Sequence, residues 1–405
     1  MPHFKKYKLR ELIERITSGG TPSTSIKEYY GGNIPWLKTQ EVDFNRIYRT
    51  ETFITEEGLK NSSAKLIKEN SVIIAMYGNT AAKVAINKIP LTTNQACCNI
   101  TVDKTKADYR FIYYYFLKEY ENLKSLANGG AQQNLNAGII RDYEIQAPNL
   151  PTQTRIASIL SSLDDKIELN RRTNHTLEQI AQTLFKKYFV DDIDPENLPE
   201  GWRWGKLGEI FTKSNESINP GKFPDKSFYH YSLPAYDESK RPSTELGSTI
   251  LSNKFVVKSN SILFSKLNPR FPRIWPIGKI DESKSICSTE FLVFIPIKPK
   301  HYSFTFLQLK QEDLISDLVN KATGTSGSHQ RIRPDEILEL DAIIPESTAL
   351  DEFELKVRPM LNKTIENLNE NLVLTKIRDS LLPKLMSGEI EVIAAEKLSE
   401  AELTG

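Results

Sequence analysis

Histidine and cysteine are both scarce in this chain of 405 residues, which holds five of the first and three of the second. His3, His175, His230, His301 and His329 are scattered, no two at ligand spacing, so a histidine-based metal or acid–base site has little to draw on. Cys97, Cys98 and Cys287 form an odd set without metal spacing, which argues against a disulfide framework and a zinc site. Cys97 and Cys98, adjacent in an apolar run, are expected on opposite faces of a strand, as small buried hydrophobes of a reducing cytosol. No run of 18 apolar residues exists, and Met1-Pro2-His3-Phe4-Lys5-Lys6 lacks an apolar signal region, so the expectation is a soluble, cytoplasmic protein with no membrane partner. An excess of one charge is also missing. With 53 Lys and Arg against 52 Asp and Glu, the net charge is +1, and any attraction to nucleic acid has to come from local patches.

Catalytic signatures are equally thin. There is no G-x-G-x-x-G, P-loop, H-E-x-x-H or G-x-S-x-G. Asn268-Pro269-Arg270-Phe271 is close to the Asn-Pro-Pro-Phe/Tyr loop of adenine methyltransferases, but it lacks the second proline and no Gly-rich cofactor loop accompanies it. Pro224-Asp225 followed by Glu238-Ser239-Lys240 formally fits the carboxylate pattern of many Mg²⁺-dependent nucleases, in a Ser/Pro/Tyr-rich stretch without clear strands, where chance explains it better. The chain reads as non-catalytic, without a metal or cofactor of its own.

What is present is a repeat. Leu374-Thr375-Lys376-Ile377 with Leu381-Leu382-Pro383-Lys384 echoes Leu177-Glu178-Gln179-Ile180 with Leu184-Phe185-Lys186-Lys187, 197 residues earlier. Asn260-Ser261-Ile262-Leu263 matches Asn70-Ser71-Val72-Ile73 at an offset of 190. Lys206-Leu207 with Glu209-Ile210 matches Lys8-Leu9 with Glu11-Leu12 at 198. A period this long is a duplicated domain, not a solenoid. Strand-like runs at 71–76 and 96–102, then a helix over 109–126, reappear as strands at 261–264 and 291–295 and a helix over 303–319, so each copy is α+β.

After each copy comes a different kind of segment. A seam stepping by four and three runs Ile156, Leu160, Leu163, Ile167, Asn170, Asn174, Leu177, Ala181, Leu184, Tyr188. Adding 197 gives Phe353, Val357, Met360, Thr364, Asn367, Asn371, Leu374, Arg378, Leu381, Leu385, with Arg378 the weakest member. Each helix should run ~50–60 Å at 1.5 Å per residue. Packing one stripe on the other is the simplest way to cover both. The seam asparagines Asn170, Asn174, Asn367 and Asn371 are expected to set register at some cost in stability. The short acidic linker favours an antiparallel pair, which implies two globular domains related by a pseudo-twofold axis. The layout is residues 1–149 (domain 1), 150–190 (first long helix), 191–200 (linker), 201–346 (domain 2), 347–390 (second long helix) and 391–405 (polar tail).

Two loops carry binding chemistry. Residues 128–136 are amide-rich and 321–333 carry Lys321, Arg331 and Arg333 with His329 and Gln330. Seven cations between Lys254 and Lys284 face only two acids. Arg reads guanine edges and phosphates, and Asn and Gln pair with adenine.

The chain resembles the specificity (S) subunits of type I restriction–modification systems over nearly its full length. The resemblance rests on the order recognition domain, helix, recognition domain, helix. It rests also on Ser18-Gly19-Gly20-Thr21-Pro22-Ser23 with Ile34-Pro35-Trp36, Asn94-Gln95, Gly129-Gly130-Ala131-Gln132-Gln133, Ala147-Pro148-Asn149-Leu150-Pro151-Thr152-Gln153 and Leu198-Pro199-Glu200-Gly201-Trp202. Ser347-Thr348-Ala349-Leu350 departs from the usual Leu-Pro-x-Gln helix start. The resemblance implies a non-enzymatic subunit that binds a bipartite, asymmetric DNA site, one domain per half, and helices of this length fit half-sites about one helical turn (~34–36 Å) apart. It implies two methyltransferase (M) subunits using S-adenosylmethionine and two restriction (R) subunits using ATP and Mg²⁺. Type IIB-like recognition subunits share this architecture, and a non-DNA scaffold is the other alternative. Loop chemistry nominates Lys38, Thr39, Asn79, Lys83, Gln132, Gln133 and Asn134 in domain 1, and Lys266, Asn268, Arg270, Arg273, His329, Gln330, Arg331 and Arg333 in domain 2, for DNA contact. The outer helix faces, with Arg171, Arg172, Lys186, Lys187 and Lys363, are nominated for the M subunits.

Overall fold

A computed structural model of the chain describes residues 4–128, 135–322, 330–392 and 395. Two helices dominate it: α1 (Leu150–Phe189) and α2 (Ser347–Ser387), whose first residues are 197 apart. The chain divides into two compact units, Met1–Lys166 with Val373–Gly405, and Ile167–Leu372, so each long helix contributes to both.

The first unit is built on a five-stranded sheet. Its strands are β1 (Ile13–Ser18), β2 (Arg46–Ile47), β3 (Val72–Ala75), β4 (Val84–Asn87) and β5 (Cys97–Val102), in the order β1-β5-β3-β4-β2. The second unit has a four-stranded counterpart of β6 (Phe211–Ser214), β7 (Ile262–Ser265), β8 (Ile274–Pro276) and β9 (Phe291–Pro296), in the order β6-β9-β7-β8. The registers repeat. Ile73 lies opposite Asn99 and Ala85, and Leu263 lies opposite Val293 and Trp275. β3 and β7 are buried along their whole length, which accounts for their continuous apolar runs. A second sheet flanks each of these, three-stranded in the first unit and five-stranded in the second.

The recurrent Asn-Ser tetrad now has a physical reason. Asn70 and Asn260 both sit at positive φ (63° and 57°), a conformation Asn tolerates and β-branched residues do not. The serine that follows bonds back to the carbonyl three residues earlier, Ser71 to Lys68 and Ser261 to Lys258. The pair is a turn that launches the central strand.

Where the sequence suggests one helix after the last strand, each copy has two: Tyr109–Lys118 and Tyr120–Asn128, then Tyr302–Gln308 and Glu312–Lys321. In the second copy Lys310 and Gln311 close tight i→i+3 bonds to Leu307 and Gln308, and the backbone of Gln311 then turns extended. The first segment is buried almost throughout and the second is amphipathic, a contrast the sequence pattern runs together.

α1 and α2 pack antiparallel. In the second unit the Asn170 amide donates to Asn371 (2.9 Å) and to Glu370 (2.8 Å), while Asn174 and Asn367 meet at 2.8 Å and Asn174 also donates to the Thr364 carbonyl (3.2 Å). The four seam asparagines are thus paired across the helices and do not face solvent at a seam edge. Toward the end of α1, Phe185 and Phe189 pack on Phe304 and Phe353 at centroid distances of 4.8–6.0 Å. In the first unit, Arg378 finds a carboxylate. Its Nη1 lies 2.8 Å from Asp164 Oδ1, Tyr114 donates to the other Asp164 oxygen at 2.6 Å, and Arg46 binds the adjacent Asp165. Burial alone would lower the pKa of Arg378, but Asp164 and Asp379 overcome it and raise it.

The start of α2 also differs in chemistry from that of α1. Gln153 is buried and accepts from the Asp108 amide, tying α1 to the helix at Tyr109. Its counterpart 197 residues on is Leu350, also buried, and the tie passes to Glu354, which accepts from the Ser303 amide at 2.9 Å. Beyond residue 390 the segment is not wholly polar surface, since Val392 and Ala395 are buried.

All three cysteines are free and buried. Burial pushes the Cys97 thiol up to about 12 and those of Cys98 and Cys287 up as well. Because the thiolate is the nucleophile, iodoacetamide at neutral pH is expected to leave the native protein unmodified by intact mass and to add three labels only after denaturation.

Candidate nucleic-acid interface

The hairpin between β3 and β4 and the one between β7 and β8 have the same length and closure. Ala75 N donates to Lys83 O (2.9 Å) in one, and Ser265 N donates to Arg273 O (3.0 Å) in the other, both shifted by 190 residues. A left-handed residue stands at Gly78 (φ 83°) in the first loop and at the equivalent Asn268 (φ 53°) in the second, and the first loop has another at Ala82 (φ 67°). A second loop joins each hairpin at the same place. Leu135 N donates to Met76 O (3.2 Å), and Ile332 N donates to Lys266 O (3.1 Å). A third strand end closes the group through Met76 N to Ala96 O and Lys266 N to Glu290 O. Loops far apart in sequence therefore converge at one end of each sheet.

In the first unit this end carries Lys38, Thr39, Asn79 and Lys83. Thr39 and Asn94 share hydrogen bonds of 3.0 and 3.3 Å, and Thr80 donates to the Thr39 carbonyl. Asn79 is exposed at the hairpin tip. Lys38 lies 6.0 Å from the Trp36 ring centroid. Lys83 is held by Asp43 (2.6 Å) and lies 5.7 Å from the Phe44 ring centroid. Gln132, Gln133 and Asn134 lie outside the described residues, next to Leu135.

In the second unit Lys266, Asn268, Arg270, Arg273, Gln330, Arg331 and Arg333 come together, and His329 lies outside the described residues. Asn268 N donates to the Gln330 carbonyl (2.9 Å). The side-chain oxygens of Asn268 and Gln330 are both buried without a hydrogen-bond partner among the described residues. Arg273 is gripped at two points by Asp237 (2.7 and 2.8 Å), and this bonding raises its pKa. Arg331 is gripped likewise by Glu290 (3.0 and 3.2 Å). Arg273 and Lys83 occupy equivalent positions, 190 apart, and each is neutralised by an aspartate from a neighbouring segment. Both therefore position the hairpin in this structure. Arg270 and Arg333 are exposed. Sequence reasoning missed Phe271, which stands 69 % exposed at the hairpin tip beside Arg270, and the carboxylates Asp43, Asp237 and Glu290. A bulky aromatic at the tip of a tight hairpin was the available signal for Phe271.

The two ends share one backbone frame and carry unlike side chains, amides and a threonine in one, and guanidiniums with two amides in the other. The type I restriction modification DNA specificity domain matches residues 1–179 and again 199–348, one match over each copy of the frame. The chain belongs to this family. The specificity subunit of type I restriction enzyme MjaIX from Methanocaldococcus jannaschii is 30% identical over 95% of this chain and 93% of its own length. That of HindI from Haemophilus influenzae is 28% identical over 67% of this chain and 74% of its own. The crystal structure of a type I restriction–modification S subunit from M. genitalium has the same fold (TM-score 0.61, 18% identity, 95% of this chain and 96% of that one). The chain is thus a type I specificity subunit, a recognition protein and not a catalytic one. Among the described residues of this specificity subunit, no helix is long and apolar enough to cross a membrane, and no group of three or more His, Cys, Asp or Glu is placed to hold a metal ion. Glu238 of the nuclease-like pattern lies on the helix Leu233–Ser239, and the Lys240 ammonium lies over the Tyr236 ring.

Proposed function

We propose that this chain reads a bipartite, asymmetric duplex DNA site, one half with each loop group, while holding two M subunits that methylate adenine N6 with S-adenosylmethionine. Two R subunits using ATP and Mg²⁺ complete the restriction complex. The observation that carries the reading is the convergence of unlike loops on a shared hairpin frame. A common frame suits two docking events of the same kind, and different donors suit two different base sequences. The exposed Asn79 amide and the exposed guanidiniums of Arg270 and Arg333 match adenine and guanine edges in the major groove. A near-neutral subunit gains little from long-range attraction, so assembly with M subunits is expected to precede tight binding.

The test is a gel shift of the chain reconstituted with its M subunit, at low salt, on duplexes drawn from the host genome. Retention that survives unlabelled mixed-sequence competitor supports the reading. No retention in the assembled complex overturns it in favour of a scaffold.

A further inference from the structure

A cavity of about 180 Å³ opens in the second unit between the helix Leu233–Ser239, β8 and the two long helices. Its walls are largely apolar, with Trp275, Phe306, Ile277 and Leu361 among them, but its rim carries Lys240, Arg241 and Lys279. The single acid lining it, Glu178, is already bonded to Lys310. Arg241 is half-buried, and its guanidinium has no hydrogen-bond or ion-pair partner among the described residues. Arg171, exposed on α1 and also without such a partner, stands close enough for its charge to act on Arg241. Burial first, and Arg171 second, push Arg241 down to about 10. Arg241 on the cavity rim, within electrostatic reach of Arg171 and beside a largely apolar wall, is in an unfavourable arrangement that an anion relieves, and the low dielectric of that wall strengthens the hold.

The position says which anion. Arg241 follows by four residues Asp237, the carboxylate that grips Arg273 of the β7–β8 hairpin. The pair therefore flanks the loop group assigned above to base contact, on the side of α1. We propose that Arg171 and Arg241, backed by Lys240 and Lys279, form a seat for a backbone phosphate of the bound duplex, outside the bases being read. The inference rests on the proposed DNA function and adds a contact that is indifferent to sequence. It also moves Arg171 from the surface nominated for the M subunits to the DNA side. The seat is not duplicated, because the residue 197 positions after Arg171 is Leu368. Phosphate contact of this kind is therefore expected beside one half-site alone.

The experiment compares wild type with the Arg171→Gln/Arg241→Gln double variant, each assembled with M subunits, binding a mixed-sequence duplex over a range of salt. Each phosphate contact contributes about 0.9 to the slope of log affinity against log salt. The double variant is expected to lose roughly one contact's worth of slope, while Arg171→Lys/Arg241→Lys keeps it. Ethylation interference on a cognate duplex should show the lost contact beside one half-site. Equal slopes for wild type and the glutamine variant overturn the seat and leave the DNA reading standing. Failure of the glutamine variant to co-purify with M subunits also overturns it, by returning Arg171 to that interface. A wild-type complex that retains no duplex removes both proposals together.

Discussion

Asp164→Leu is expected to destabilise the first unit by about 2–4 kcal/mol, because it takes the shared acceptor from the Tyr114 hydroxyl and from Arg378 Nη1 and leaves the guanidinium with Asp379 alone. Both partners of the ion pair are largely buried, with side-chain exposures of 18% and 12%. The second unit shows the apolar solution to the same packing problem. The position 197 after Asp164 is Leu361 and the position 197 before Arg378 is Ala181, both buried in one hydrophobic cluster. Converting the first unit to that pattern, with Asp164→Leu, Arg378→Ala and Tyr114→Phe together, should recover most of the loss, since removing a whole buried ionic group is often nearly neutral. Urea unfolding followed by circular dichroism gives the comparison. A triple variant no more stable than Asp164→Leu alone would show that the network does more than satisfy its own charges.

The second large effect concerns DNA. Asn268→Gly with Gln330→Ala removes two amides from the second loop group and keeps the left-handed backbone at residue 268, where the first copy has Gly78. Once turned outward so that its buried oxygen meets a base, each bidentate amide contributes about 1–3 kcal/mol of discrimination, so cognate binding by the assembled complex should fall roughly 10²–10³-fold with non-specific binding retained. Titration of cognate and scrambled duplexes separates the two terms. An unchanged ratio between them would remove these amides from the reading surface.

The parts legible in the sequence were those set by local periodicity. The heptad stepping located α1 and α2, and the constant offset of 197 put their first residues in correspondence. The Asn-Ser tetrad was visible only as a repeat, and the structure supplies its reason, since few residue types tolerate the positive φ at Asn70 and Asn260. What could not be read was pairing across long sequence distances. Asp43, Asp237 and Glu290 hold Lys83, Arg273 and Arg331, yet nothing near those cations announces a carboxylate 36 to 41 positions away. Arg378 looked like a flaw in the seam because its partner, Asp164, stands one residue off the seam beside Leu163. The break within each pair of short helices was hidden because a buried helix followed by an amphipathic one gives an unbroken apolar record.

The central claim is that two unlike loop groups on one frame read two unlike half-sites. Sequencing of methylated adenines in cells that express this chain with its M subunit tests it most directly, with the wild type beside loop variants of each unit. The account predicts a split, non-palindromic motif, of which variants at Thr39 and Asn79 alter one half and variants at Asn268 and Gln330 alter the other. A single uninterrupted motif, or one in which either set of substitutions changes both halves alike, would contradict it.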